Sequence, residues 1–249
     1  MELSGKTALI TGGAKRIGAA CAIALAKQGV DIALHYGRSA EAAETQCDRL
    51  RGLGVNAFPF SADLSDASAC QTLVDRANQK MGLISILINC AAIFERGSVK
   101  QTSLENWQRH LDINLTAPFL LLQAFANQSA WLPNGEPPQV QGKVINFIDQ
   151  RITRPQPGHL AYTTAKSALW AVTQMAAKEL APAIHVNGIA PGPILPAPDA
   201  NTETFEKIAR ATPSGRPGGP IDITEALLFL LKQDYIIGEI LRVDGGEHL

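Results

Sequence analysis

Three observations predict a doubly wound α/β fold: one domain over residues 1–249, with a mainly parallel seven-stranded sheet flanked by helices. Short apolar runs alternate strictly with longer stretches of helical period. Several of those runs are apolar throughout, as strands covered on both faces must be. A glycine-rich turn, Gly12-Gly13-Ala14-Lys15-Arg16-Ile17-Gly18, joins the first run to the first helical stretch. Strand and helix in such alternation imply right-handed crossovers between parallel strands.

The apolar runs place strands at 7–11, 31–35, 56–61, 85–89, 143–148, 185–189 and 240–243. Helical periodicity fills 17–28, 40–53, 67–81, 103–129, 160–180, 202–210 and 221–231. Thr102 and Glu105 fit a capping box at the start of the long middle helix. No internal boundary divides the chain, and the polar, Pro/Gly-rich stretch 133–142 reads as a loop before the fifth strand. The segment 191–220 differs. It holds seven prolines around one short helical pattern, the composition of a binding loop or lid.

Composition excludes several classes. A net charge of -1 without a polybasic block argues against nucleic acid or anionic membrane as a partner. No apolar run is long enough to span a bilayer, and the first strand starts without a signal-like segment, so a cytoplasmic protein is expected. Cys21, Cys47, Cys70 and Cys90 are scattered and read as free thiols. The histidines lack ligand spacing, so no metal is expected.

The glycine turn suits a pyrophosphate. Gly12, Gly13 and Gly18 permit close approach of the backbone, and the helix that follows offers free N–H groups. The second strand ends His35-Tyr36-Gly37-Arg38-Ser39, without the acidic residue that would bind a ribose 2′-hydroxyl. Arg38 and Ser39 can hold a 2′-phosphate instead, with Lys15 adding positive charge. The expected cofactor is therefore NADPH. Asp63, after the third strand, is placed to accept a bond from the adenine amino group.

Tyr162 and Lys166 lie four residues apart, on one face of a helix. A phenol is a poor acid or base at neutral pH, and a nearby ammonium is expected to lower its pKa. Such a pair is proton-transfer machinery beside a bound cofactor.

Together these pieces resemble the short-chain dehydrogenase/reductase family. The likeness covers essentially the whole chain and rests on ordered motifs. They are the glycine turn, Asp63-Leu64, Asn89-Cys90-Ala91-Ala92, Asn114, the Tyr162/Lys166 pair, Asn187-Gly188-Ile189-Ala190-Pro191-Gly192 and Val243-Asp244-Gly245-Gly246. The resemblance implies a Rossmann domain whose cofactor contacts include Gly12, Lys15, Arg16, Ile17, Gly18, His35, Tyr36, Arg38, Ser39, Asp63, Leu64, Asn89, Ala91, Lys166, Pro191, Gly192 and Ile194. It also implies that Lys166 holds the nicotinamide ribose, that Asn114 holds a water near Lys166, and that the protein is a homotetramer.

Departures from the family pattern narrow it. Arg16 stands where the family turn has glycine, and Asp149, thirteen residues before Tyr162, replaces the family's catalytic serine. With His35-Tyr36-Gly37-Arg38-Ser39, Phe94 and the closing Asp244-Gly245-Gly246-Glu247-His248-Leu249, these changes resemble the pteridine reductase branch, including bacterial dihydromonapterin/dihydrofolate reductases. That branch implies a small pterin substrate, with Tyr162 as proton donor and Asp149 orienting or recharging it. Phe94 would stack on the heterocycle, and Arg16 would reach both pyrophosphate and pterin. Competing readings make Asp149 a loop cap, Phe94 core, and Arg16 a cofactor ligand alone. At the level of function the rivals are a carbonyl reductase of the 3-oxoacyl type and a non-catalytic NADPH-binding regulator. Ala92 and Pro193-Ile194-Leu195-Pro196 stand where other pteridine reductases offer serines, which implies a more apolar pocket.

Overall fold

The computed structural model describes residues 1–131, 142–196 and 201–249. The stretch 133–142 expected as a loop lies, but for Gly142, outside them, as do residues 197–200 of the segment 191–220. Seven strands form one sheet: β1 Thr7–Ile10, β2 Asp31–Tyr36, β3 Ala57–Ser61, β4 Ile86–Asn89, β5 Gly142–Phe147, β6 Ile184–Pro191 and β7 Ile240–Val243. Their order is β3-β2-β1-β4-β5-β6-β7. Every pairing is parallel, so the sheet is wholly rather than mainly so.

Helices fill the crossovers: α1 Arg16–Ala26, α2 Ala40–Arg51, α3 Ala67–Met81, α4 Leu104–Leu111, α5 Ala117–Ala126, α6 Leu160–Leu180, α7 Thr202–Arg210 and α8 Pro220–Lys232. Strand alternation sorts side chains between the two faces of the sheet. Ala8, Ile10, Ile32, Leu34, Ile86 and Ile88 point to one face and pack with Leu25 of α1, Leu50 of α2 and Leu227 and Leu230 of α8. Leu9, Ala33, Leu87, Val144 and Val186 point to the other and pack with Leu73 of α3, Leu121 and Phe125 of α5 and Ala177 of α6. Burial on both faces is why these strands read as continuous apolar runs.

The middle helix departs from expectation twice. Its N-cap is Ser103, whose hydroxyl accepts from the Asn106 amide at 3.1 Å; the Thr102 hydroxyl instead donates to the Ser98 carbonyl at 2.8 Å. The hydroxyl that caps is the one already clear of the preceding turn. The helix is also not uniform, because a π-helical turn, Asp112–Thr116, separates α4 from α5. Pro118 has no N–H to offer the Asn114 carbonyl four residues back, and the backbone widens there.

Chain order reverses at β1, which has β2 on one side and β4 on the other. In an open α/β sheet that switch point opens a crevice at the carboxyl ends of the strands, where ligands bind. The glycine turn, Asp149 and Gly192 follow strands at this end, and Asn89 is the last residue of β4 there.

Candidate active site

The turn between β1 and α1 is shaped by contacts that allow no side chain. A Cβ on Gly18 would lie 2.3 Å from the Gly12 carbonyl oxygen, and one on Gly12, at φ +66°, would lie 3.1 Å from Ala91 Cα. Thr11 ties this turn to the end of β4, its hydroxyl accepting from the amides of Cys90 (3.0 Å) and Ala91 (3.1 Å). The α1 N-terminus carries no side-chain cap and no acidic residue in its first turn. Its orphan N–H groups and partial positive charge therefore suit an anionic group. The residues present fit a dinucleotide pyrophosphate.

Around this turn the predicted residues divide into two groups. Lys15, Arg16 and Arg38 are exposed, Ile17 is half-buried, and Ser39 starts α2 with its hydroxyl making no cap bond. Asp63 is exposed, and its Oδ1 accepts from the Ser65 amide (2.9 Å) and hydroxyl (2.7 Å), which hold its carboxyl below the usual range. Others support the cradle from behind. His35 is buried; its Nδ1 accepts from the Gly12 amide at 3.2 Å and its Nε2 donates to the Ala62 carbonyl at 3.1 Å, so both ring nitrogens are engaged by the protein. Burial lowers its pKa and keeps it neutral. Asn89 is buried and donates to Asn146 Oδ1 at 2.9 Å, while Leu64 is core and Tyr36 is half-buried. Through these bonds His35 and Asn89 hold the turn and the strand ends in place.

Asp149 ends the segment after β5, and its carboxylate does two things. Oδ1 accepts from the Arg151 amide at 2.8 Å, capping the short 3-10 turn Gln150–Ile152. Oδ2 accepts from the Tyr162 hydroxyl at 2.8 Å. The cap and the tyrosine partner are therefore both true. Burial raises the Asp149 pKa, so this carboxyl can carry a proton at a pH where an exposed one would not.

Tyr162 corrects an expectation. Its pKa is pushed well above 10 by burial and then by the Asp149 carboxylate. A carboxylate that accepts the phenolic proton favours the neutral phenol, and Lys166 does not reverse this. The Lys166 ammonium stands 5.9 Å from the Tyr162 ring centre and donates to the Phe147 carbonyl at 2.5 Å. Its own pKa is lowered to about 8 by burial, with the Asp149 charge opposing. Tyr162 is thus held as the neutral phenol, and Lys166 is a buried ammonium close to it.

Asn114 is fully buried in the π turn. Its Oδ1 accepts from the Ile93 amide (3.0 Å) and its Nδ2 donates to the Ile93 carbonyl (3.1 Å). Both ends of the side chain anchor the loop after β4. That anchored loop carries Phe94, which is 42% exposed rather than core. Phe94 meets Tyr162 edge-on, with ring centres 4.7 Å apart at 80°. One of its faces is already covered by His159 at 3.9 Å and 9°.

Arg16 sits in the left-handed region at φ +54°, the one non-glycine residue to do so among those described. The family's glycine at this place would adopt it without strain. The Arg16 side chain crosses to the segment after β6 and donates to the Pro196 carbonyl at 2.7 Å. In that segment Pro191 ends β6 and Gly192 presses against β7, where a Cβ would lie 2.6 Å from Asp244 Cα. Ile194 is buried against Gly218.

The glycine turn at the switch point and a tyrosine–lysine pair at the same end of the sheet define a dinucleotide-binding α/β protein. A model described as enoyl-(acyl carrier protein) reductase matches residues 12–248. The chain is 32% identical to an uncharacterized oxidoreductase of Methylorubrum extorquens, over 98% of both chains. It is 31% identical to a 3-oxoacyl-[acyl-carrier-protein] reductase of Synechocystis, over 98% of this chain and 97% of that one. Among solved structures it is similar to the FolM alternative dihydrofolate reductase 1 of Brucella canis complexed with NADP. The TM-score is 0.91 with 34% identity, covering 99% of this chain and 95% of the other. The chain belongs to the short-chain dehydrogenase/reductase family and is an oxidoreductase of that family.

His159 was not singled out from the sequence. It lies three residues before Tyr162, at the N-cap of α6, and nothing in the sequence ties it to Phe94.

Proposed function

We propose that this protein is an NADPH-dependent pteridine reductase, acting on a dihydropterin or dihydrofolate-type substrate. The observation that carries the reading is the 2.8 Å bond from the Tyr162 hydroxyl to Asp149 Oδ2. A serine at position 149 would serve a ketone oxygen. An aspartate of raised pKa serves a ring nitrogen that must gain a proton. When bound, the nicotinamide supplies the hydride to a ring carbon. Tyr162 gives its proton to the neighbouring nitrogen, directly or through a water; once Asp149 has taken up a proton from solvent, its bond with Tyr162 reverses and it restores the phenol. Lys166 holds the nicotinamide ribose, and Arg38 with Ser39 holds the 2′-phosphate. Phe94, 42% exposed beside Tyr162, would pack against the heterocycle, and Arg16 braces the substrate segment at Pro196. Likeness to the FolM structure with NADP supports both cofactor and substrate class.

The second reading, an NADPH-dependent reductase of 3-oxoacyl thioesters, is favoured by the Synechocystis relative. NADPH consumption with dihydrobiopterin, dihydrofolate and an acetoacetyl thioester separates the two. Turnover of the thioester alone would overturn the pterin reading. A cytoplasmic homotetramer completes the proposal. It is supported by four free cysteines and by exposed apolar side chains on α5 (Phe119) and α8 (Ile221, Phe229).

A further inference from the structure

His159 takes no part in the proton path, yet it is held on several sides. Its Nδ1 donates to the Glu95 carbonyl at 3.0 Å, since a carbonyl can only accept. Glu95 is itself anchored: its carboxylate accepts from Arg109 (2.8 Å) and Asn106 (2.7 Å), and its amide donates to His110 Nε2 (3.3 Å). Backbone bonds on either side of His159 stitch the same loop to the start of α6. The Gly97 amide donates to Gly158 at 2.9 Å, and the Leu160 amide donates to Gly97 at 3.2 Å. The imidazole therefore has one position, and in it the ring lies parallel to Phe94.

That arrangement matters because Phe94 is otherwise a loop phenyl with free rotamers. His159 covers one face and the Tyr162 ring meets its side, while the Arg151 guanidinium carbon lies over the ring, 5.6 Å from its centre. We infer that His159 is a positioning residue that sets the plane of Phe94, so that the site selects substrates with a flat ring. The inference rests on the pterin reading for the identity of that ring. It does not rest on it for the His159–Phe94 stack itself.

The test uses the full-length enzyme with His159→Ala and His159→Phe. The first removes the backing ring; the second keeps a ring to stack and loses the Glu95 bond. His159→Ala is expected to raise KM for dihydrobiopterin roughly three- to tenfold, about what one aromatic pair contributes, with kcat within about twofold. KM for NADPH should stay unchanged in both variants, and His159→Phe should recover most of the lost pterin affinity. An unchanged pterin KM in His159→Ala would overturn the inference. So would a parallel loss of pterin and NADPH affinity, which marks general damage to α6. If the unmodified enzyme reduces no pterin, the functional reading fails separately. The stack is then read by NMR: ring protons of His159 should shift upfield and lose that shift in Phe94→Leu, and their absence from the upfield region would overturn it.

Discussion

The two ends of the crevice are built differently. At the cofactor end, backbone does the work: Gly12, Gly18, the uncapped α1 N-terminus and the amides of Cys90 and Ala91 form the cradle within a few residues of β1 and β4. At the substrate end, side chains do it. Asp149 follows β5, Tyr162 comes from α6 and His159 from its N-cap, Phe94 from the loop after β4, and Arg16 reaches from α1 to Pro196. A backbone cradle tolerates few substitutions and suits one invariant group. A side-chain pocket can be altered one residue at a time, and there this chain departs from the family pattern.

Four substitutions break or sharpen that contrast. The largest effect is expected at Tyr162. Tyr162→Phe removes the acid and leaves the cradle intact, so turnover should fall by roughly 10²–10⁴ while NADPH affinity, read by fluorescence titration, holds. Near-full activity would move the proton source elsewhere. Gly18→Ala is the mirror experiment. Its Cβ would lie 2.3 Å from a backbone oxygen, so the turn must distort. NADPH affinity should drop at least about tenfold, and Tm should fall if the distortion reaches β1. Unaltered NADPH binding would mean the cradle is looser than its contacts imply.

Asp149→Asn separates function from stability. An acid whose pKa is raised on folding lends stability below its unfolded-state value, and that contribution is lost as pH climbs through the raised folded value. Asparagine escapes this loss. The variant should therefore melt higher than the unmodified protein at pH 7, with the gap closing as pH falls below the ordinary carboxylate range. Its pterin turnover should drop by about tenfold or more. Equal turnover would reduce Asp149 to the cap of the 3-10 turn. Arg38→Asp has the smallest effect. Preference for NADPH over NADH, expected to be at least about tenfold, should vanish or reverse, a change of about 1.4 kcal/mol. Steady-state rates with both cofactors read it directly, and equal use of both by the unmodified enzyme would refute the phosphate role.

Much of this was legible from residue order. The strand runs stand because burial on both faces leaves an unbroken apolar signature, and the glycine turn because few other residues fit it. Tyr162 and Lys166 were legible because helical spacing alone brings them to one face. The middle helix was less so. Its helical period runs unbroken through 103–129, and only the fold places a π turn there that buries Asn114 against Ile93.

By itself, the sequence determined the doubly wound alternation, the position of the nucleotide turn, and the placing of Tyr162 and Lys166 on one helical face. Those follow from periodicity and from contacts close along the chain. Tertiary structure decided the electrostatics. Asp149 and Tyr162 lie thirteen residues apart, and only the placement of β5 beside α6 makes one accept from the other at 2.8 Å. Burial then raises both of their pKa values and lowers that of Lys166, the opposite of the simple expectation that the cation would govern the phenol. It decided His159 in the same way, since a stack between a loop after β4 and the N-cap of α6 has no local pattern to announce it. Desolvation depends on what the rest of the chain packs around a group, and that is a property of the fold, not of the neighbours in sequence.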